Sequence, residues 1–321
     1  MCQPGSVLAH EAAAQGIDTI PIVMRGATAP AAFIRLRRLM RFRGVALVHT
    51  HSSIDSWLAG LAARSLGLSV VRSRHVTIPI RHGVVYRLAH RIVASGEEAA
   101  RRVREAGVPA ERVLALSAGV DLERFHPGVS GKSVRDELGL DGPLVGLVAN
   151  VRGSKGHRYF LEGVPEILRV RPDARFLIVG SGVGFEDVKR RIAEMRLDGA
   201  VRMLGFRRDV PEILAALDVL ALPSIKSEAT SQVILQALAI GTPVIATTVG
   251  GSPEIIRDGA TGRLVPPADG RALARAILDL LAAPDEARTM ARAGGDAVRA
   301  AQSMDTVMTR LAALYRELLR G

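Results

Sequence analysis

Short runs of aliphatic and β-branched residues alternate along this chain with longer stretches whose apolar residues recur at helical spacing. Ala46-Leu47-Val48 precedes a helical pattern over residues 54–66, and Ser69-Val70-Val71 starts the next unit. A fresh series begins at Leu144–Val148 and continues through Arg175–Val179, 201–204, Val219–Leu222, 243–246 and Arg263–Val265, each followed by helical or turn chemistry. Repeated strand–helix alternation predicts parallel sheets covered on both faces. Phe125-His126-Pro127-Gly128 reads as the linker between the two series. The expected fold is α/β, two doubly wound Rossmann-like domains over residues 1–127 and 128–302. Residues 303–321 place Val307, Leu311, Leu314 and Leu318 on one stripe, the pattern of an amphipathic helix that needs a surface to cover.

The length of 321 residues agrees with two domains of about 150 residues each. With 48% hydrophobic and 23% charged residues, the composition excludes a disordered chain. A net charge of +11 is carried almost wholly by arginine, since only four lysines occur, and residues 1–127 hold 17 arginines and no lysine against 9 acids. Arginine favours fixed contacts with phosphate. Aromatics at 3% leave few stacking platforms, and no nucleic-acid reading module is recognisable, so no nucleic-acid partner is expected. Arg35, Arg37, Arg38, Arg41 and Arg43, interleaved with Phe33, Ile34, Leu36, Leu39, Met40 and Phe42, predict a basic amphipathic helix. Contact with an anionic membrane surface and a merely solvated face weigh equally there. The single cysteine, Cys2, excludes internal disulfides and cysteine zinc sites. Residues 229–253, the longest uncharged stretch, contain Gly241, Pro243, Gly250 and Gly251 and make a poor membrane span. Met1-Cys2-Gln3-Pro4-Gly5-Ser6, followed by an Ala-rich helical run, reads as the end of a strand entering a turn; a preceding strand–loop–helix unit is expected to be missing.

Helix N-termini after glycine-rich turns bind phosphate through free N–H groups and the positive end of the dipole. Gly180-Ser181-Gly182-Val183-Gly184 offers such a turn, as a weak dinucleotide signal beside a plain tight turn. It lacks the acidic residue expected ~20 positions on, which disfavours an oxidoreductase. Val249-Gly250-Gly251-Ser252-Pro253-Glu254 is better placed, with paired glycines that let backbone approach a ligand and a good first helical turn. Asn150-Val151-Arg152-Gly153-Ser154-Lys155-Gly156 follows the first strand of the second series, where a doubly wound sheet opens its crevice. It is not a Walker A loop, and its two cations suit a diphosphate without metal. Most informative is Leu222-Pro223-Ser224-Ile225-Lys226-Ser227-Glu228-Ala229-Thr230-Ser231-Gln232, which runs into a helix with Gln236 a little over two turns beyond Glu228.

Glu228, the Gln236 helix, Gly241-Thr242-Pro243-Val244 and the Gly-Gly-Ser-Pro-Glu turn together resemble the donor site of the family 4 retaining glycosyltransferases of GT-B architecture. Gly119-Val120-Asp121 with Phe125 and Pro127, Lys155-Gly156, Gly205-Phe206 with Asp209-Val210, and Asp258-Gly259 with Thr261-Gly262 resemble further segments of that family. The resemblance runs from about residue 45 to the end. It implies a nucleotide-sugar donor held in a cleft mainly by the second domain, a glycan or lipid-linked acceptor on the first, and a C-terminal helix packing back on the N-terminal domain. His75, Lys155 and Glu228 are then catalytic: Lys155 on the diphosphate, Glu228 on sugar hydroxyls, and His75 facing the donor sugar. Arg152, Gly205, Phe206, Asp209, Ser231, Gln236, Gly250 and Gly251 are implied at donor binding. No cofactor and no metal are expected. A cytoplasmic location, peripheral on the inner face of the membrane, and a role in cell-surface polysaccharide or lipopolysaccharide assembly follow from the same likeness. Gln236 stands where the family has a second Glu, and Asn150 where it has an Arg, so Arg152 would have to reach in. The family's glycine-rich loop after the first strand has no counterpart. A catalytically impaired homologue or pseudoenzyme that only binds nucleotide-sugar is the alternative to an active transferase. His49 and His51 share one strand face, where metal binding is the minor reading, and Ser95 is expected to cap the helix that follows it.

Overall fold

The computed structural model describes residues 1–24, 26, 29–80, 83–226 and 228–320. Four strands, β1 (Leu47–Thr50), β2 (Ser69–Arg74), β3 (Arg91–Ala94) and β4 (Val113–Ala115), form a parallel sheet in the order β1-β2-β3-β4. Strand alternation decides which side each residue covers. Val48, Val70 and Ile92 meet Leu36 and Met40 of the helix Pro30–Phe42 and Leu58 of the helix Ser53–Arg64. Val71 and Val93 face the other way and are covered by Val307 and Leu314 of the helix Met304–Arg320.

The second sheet comprises β5 (Leu144–Val148), β6 (Arg175–Val179), β7 (Val201–Gly205), β8 (Val219–Leu222), β9 (Val244–Thr247) and β10 (Arg263–Val265). All six are parallel, in the order β10-β9-β8-β5-β6-β7. Both faces are apolar: Leu144, Val148, Leu220 and Leu222 pack on one side, Val145, Leu147, Val219 and Ala221 on the other. Such a double burden explains the near-continuous aliphatic runs. Chain order reverses direction between β5 and β8, so the loops after those two strands splay apart and leave a crevice, the usual ligand position of an open α/β sheet.

Val120 and Phe125 pack in the core of the second sheet with Leu144 and Leu220, so that core reaches back past the Phe125-His126-Pro127-Gly128 segment. At the return crossing, Val120 N–H donates to Gln302 O and Met304 N–H to Val120 O, each at 2.8 Å. The two passages of the chain between the sheets are thereby tied side by side, and the carboxyl ends of both sheets are held facing each other across a cleft.

Candidate functional site

Lys155 sits in the turn after β5 and Glu228 in the loop after β8, on the two sides of the switch point. Their side chains meet at 2.6 Å, with exposures of only 14% and 7%. Ser224 Oγ donates to the same Glu228 Oε2 at 2.7 Å. Glycine makes this approach possible twice. Gly156 has φ +73°, and a Cβ there would lie 1.8 Å from Pro223 O; Gly250 has φ +59°, and its Cβ would lie 1.7 Å from Glu228 O. The paired glycines of the second turn therefore give room to the chain's own Glu228 and Ala229 carbonyls. Gly251 N–H donates to Glu228 O at 3.2 Å, which ties this turn to the loop that carries Glu228.

The helix Gln232–Ile240 begins beside this pair at buried Ser231, without a side-chain cap. Its free first-turn N–H groups and dipole favour an anion at that end. Gln236 lies on the same helix, a turn beyond the entry, half-buried. Ser227, part of the motif, lies outside the described residues.

From the first domain, His75 follows β2 and is held at both ring nitrogens, by Ser95 Oγ at 3.0 Å and His51 Nδ1 at 3.1 Å. His49 and His51 stack at 4.3 Å between centroids, as their shared strand face implies. His49 bonds Ser73 Oγ at 2.8 Å and reaches Tyr315 OH on the C-terminal helix. Burial, reinforced by His51 and His75, pushes His49 down to about 3, with Asp55 opposing. His75 is lowered for similar reasons, burial first and His51 second, and His51 by burial against the pull of Asp55. All three rings are thus neutral at pH 7. The Asp55 carboxylate accepts the N–H groups of His51 at 2.9 Å and Ser52 at 2.7 Å as part of a helix capping box. Among the described residues, no three His, Cys, Asp or Glu side chains are placed to hold a metal ion.

Three straps join the domains around this cleft. Thr77 Oγ1 donates to Glu228 O at 3.3 Å, and Thr230 donates through both N–H and Oγ1 to Ser95 O at 3.3 and 3.1 Å. Glu254 accepts Glu97 N–H and Glu98 N–H at 2.6 Å each. Ser95 was expected to cap the helix Glu97–Glu105. Instead its hydroxyl serves His75, Gly96 occupies the N-cap with φ +99°, and the opposite domain's Glu254 supplies the cap. A side chain at Gly96 would stand 2.8 Å from Glu254 Oε2, which explains the glycine.

Of the remaining expected residues, Gly205 ends β7 and Phe206 and Asp209 follow it at the edge of the sheet, two strands from β5. Asp209 is bound in a fork by Arg207 at 2.6 and 2.8 Å, which holds its carboxyl below the usual range. Gly205, with φ +67°, and exposed Phe206 form the turn after β7. Arg152 shares the turn of Lys155, whose N–H donates to the Arg152 carbonyl at 3.0 Å, and lines a hollow with His157 on the β6 side of β5. In the Gly180-Ser181-Gly182 run, Cβ atoms at Gly180 and Gly182 would strike the Ala149 and Val151 carbonyls at 2.0 and 2.5 Å, so these glycines serve loop packing. Thr77, Thr230 and Glu254 carried no sequence signal of their roles, because each acts through a contact distant in the chain, whereas Ser224 acts on Glu228 only four residues on, within an irregular loop whose spacing has no period to read.

Residues 4–124 match the family described as Glycosyltransferase Family 4, and residues 142–283 match Glycosyl transferases group 1. A D-inositol 3-phosphate glycosyltransferase of Segniliparus rotundus is 32% identical over 302 residues, covering 86% of this chain and 67% of its own. An alpha-D-kanosaminyltransferase of Streptomyces kanamyceticus is 29% identical over 89% of this chain and 81% of its own. Among solved structures, Anabaena HepE in complex with UDP superposes with a TM-score of 0.87 at 20% identity, over 96% of this chain and 88% of that one. A glycosyltransferase from Rickettsia africae gives 0.89 at 22% identity, over 99% and 89%.

Proposed function

The chain belongs to the family 4 glycosyltransferases of GT-B architecture, and from that premise we propose that it moves a sugar, with retention, from a nucleoside-diphosphate sugar to a glycan or lipid-linked acceptor in cell-surface polysaccharide or lipopolysaccharide assembly. The buried Lys155–Glu228 pair at the switch point carries this reading. Without donor, the two side chains neutralise each other. A nucleotide-sugar separates them: Lys155 turns to the diphosphate, and Glu228, still held by Ser224, accepts hydrogen bonds from sugar hydroxyls. The N-terminus of the helix Gln232–Ile240 adds N–H donors to the phosphate side. As the bond from the anomeric carbon to the phosphate oxygen breaks, negative charge grows on the leaving diphosphate, and a preformed cation there lowers the barrier. The acceptor oxygen bonds to the same carbon from the same face, and its proton passes to a donor phosphate oxygen. No pair of carboxylates of the glycosidase kind is then needed.

On this reading His75 faces the donor sugar from the acceptor side, and its bonds to Ser95 and His51 support the assignment by fixing the ring. Docking on an anionic membrane surface at the inner face of the cytoplasmic membrane is supported by the helix Pro30–Phe42. It buries Ala32, Leu36 and Met40 while Phe42 stands 86% exposed among Arg35, Arg38 and Arg41. No described helix is long and apolar enough to cross a membrane. The test is a screen of nucleoside-diphosphate sugars read by released nucleotide. Donor-dependent release supports transfer; a nucleotide-induced thermal shift with no release for any donor selects the binding-only alternative, to which Gln236 would contribute by giving up a charge-assisted bond.

A further inference from the structure

Of the six ring nitrogens of His49, His51 and His75, five are engaged. His49 is held by Tyr315 OH and Ser73 Oγ, His75 by Ser95 Oγ and His51 Nδ1, and His51 by His75 alone. The sixth nitrogen, His51 Nε2, has no hydrogen-bond partner among the described residues. The His51 ring is nevertheless fixed in place. It stacks on His49 at 4.3 Å between centroids, and its backbone N–H donates to Asp55 at 2.9 Å. Its plane lies within 8° of the His75 ring, with centroids 5.4 Å and nitrogens 3.1 Å apart, the edge-to-edge geometry of an in-plane N–H···N bond. His51 follows the last residue of β1, at the carboxyl end of the first sheet, and its side chain remains exposed. Thr77, two residues beyond His75, is bonded to the Glu228 carbonyl, so the series Glu228, His75, His51 leads from the donor pair into the first domain.

The direction of these bonds follows from the first donor. A neutral imidazole carries one N–H and one bare nitrogen, and the partner of one decides the other. Ser95 Oγ–H has no acceptor among the described residues besides His75 Nδ1, so Nδ1 is the bare nitrogen and His75 Nε2 carries the proton. His75 Nε2 then donates to His51 Nδ1, and the proton of His51 sits on Nε2. Burial, joined at His75 by the neighbouring His51, holds both rings below the ordinary histidine range against the pull of Asp55, so the relay is neutral at pH 7.

We propose that His51 Nε2–H is a binding group for the acceptor, donating to a hydroxyl or ring oxygen of its glycosyl unit; this rests on the reading of the chain as a transferase with its donor at Lys155 and Glu228. His51 stands one ring farther from the donor pair than His75, on the domain that takes the acceptor. A cation there would favour a phosphate oxygen; a neutral N–H amid neutral rings suits an uncharged sugar oxygen. Its direction is set before the ligand arrives, by His49, His75 and Asp55, so little ordering is left to be done on binding. His49 then has a part as well: clamped by Ser73 and by Tyr315 of the helix Met304–Arg320, it supports the stacked face of His51 and lets the C-terminal helix bear on the acceptor side of the cleft.

Ring-nitrogen NMR of the full chain with labelled histidine reads the relay directly: His51 and His75 are both expected as the Nε2–H tautomer at pH 7. Methyl α-D-glucopyranoside and methyl α-D-mannopyranoside, added in the presence of UDP, serve as acceptor probes. The expected result is a saturable shift of His51 Nε2, larger than that of His75, which persists in Glu228→Ala. In His51→Asn an amide oxygen takes the His75 proton and nothing stands at Nε2; glycoside affinity by saturation-transfer NMR should fall about fivefold, the loss of one neutral hydrogen bond. His51→Gln, which restores an N–H at Nε2, should recover most of it. His51 found as the Nδ1–H tautomer, a His51 signal that neither glycoside moves, or a response abolished by Glu228→Ala overturns the proposal. Equal losses in the Asn and Gln variants, the mark of a merely structural residue, do the same. Nucleotide release in the donor screen with a silent His51 overturns this contact alone, whereas glycoside binding at His51 with no release from any donor overturns the transferase reading instead.

Discussion

Replacing Glu254 with alanine removes a carboxylate that caps the helix Glu97–Glu105 from the opposite domain. Two backbone N–H groups at 2.6 Å lose their acceptor, and Gly96 at the N-cap has no side chain to replace it. A cap of this kind contributes about 1 kcal/mol, and charge-assisted bonds raise the figure toward ~2 kcal/mol. Glu254 is solvent-exposed, which keeps the sum in the lower part of that range. Roughly 1–1.5 kcal/mol corresponds to a fivefold to tenfold change in the population of the joined domains. The straps through Thr230 and Thr77 stay in place, so the variant should fold and the sheets should remain intact. Amide hydrogen exchange reads the effect at its origin. Glu97 and Glu98 amides are expected to exchange about tenfold faster in Glu254→Ala, with amides of β5 and β8 unchanged, while Glu254→Gln, which keeps an acceptor oxygen, falls between. Unaltered exchange at Glu97 and Glu98 in the alanine variant would refute the interdomain cap.

Two further outcomes follow from the same geometry. His49 has a folded-state pKa of about 3 against an ordinary 6.5. The unfolded chain therefore binds its proton first, and the stability from keeping His49 neutral is full above pH 6.5 and declines as pH falls toward the folded value. Roughly 2 kcal/mol should be lost from this residue between pH 7 and pH 5; denaturant titrations of the parent and His49→Gln should show a flatter pH dependence in the variant, and parallel curves would remove the explanation. On the outer surface, exchanging Arg35, Arg38 and Arg41 for Gln should weaken binding to phosphatidylserine vesicles about a hundredfold, at ~1 kcal/mol per charge; co-sedimentation unaffected by the triple change would count against membrane docking by this helix.

Most of the second sheet was legible because each of its strands is buried on both faces and so spells out an aliphatic run, as in Leu144–Val148 and Val219–Leu222. β3 and β4 carried less signal: the one begins with Arg91, and the other spans only three residues. Lys155 and Glu228 could be singled out from their loops, one a lysine in an arginine-rich chain, the other at a helix entry. Their contact with each other, and the close approach of Gly250 to the Glu228 carbonyl, are products of tertiary approach. Ser95 shows the limit most clearly. A serine before a glycine and two acids has the local pattern of a cap, but a histidine twenty residues earlier takes its hydroxyl, and a glutamate from the other domain caps the helix.

The central claim is that the Lys155–Glu228 pair is the donor site of a working transferase. Steady-state transfer with an accepted nucleotide-sugar, compared between the parent chain and Lys155→Ala at matched folding by circular dichroism, tests it most directly. The account predicts a fall in kcat of about 10²–10³, the loss expected when a preformed stabiliser of transition-state charge is removed. Turnover equal to that of the parent would contradict it.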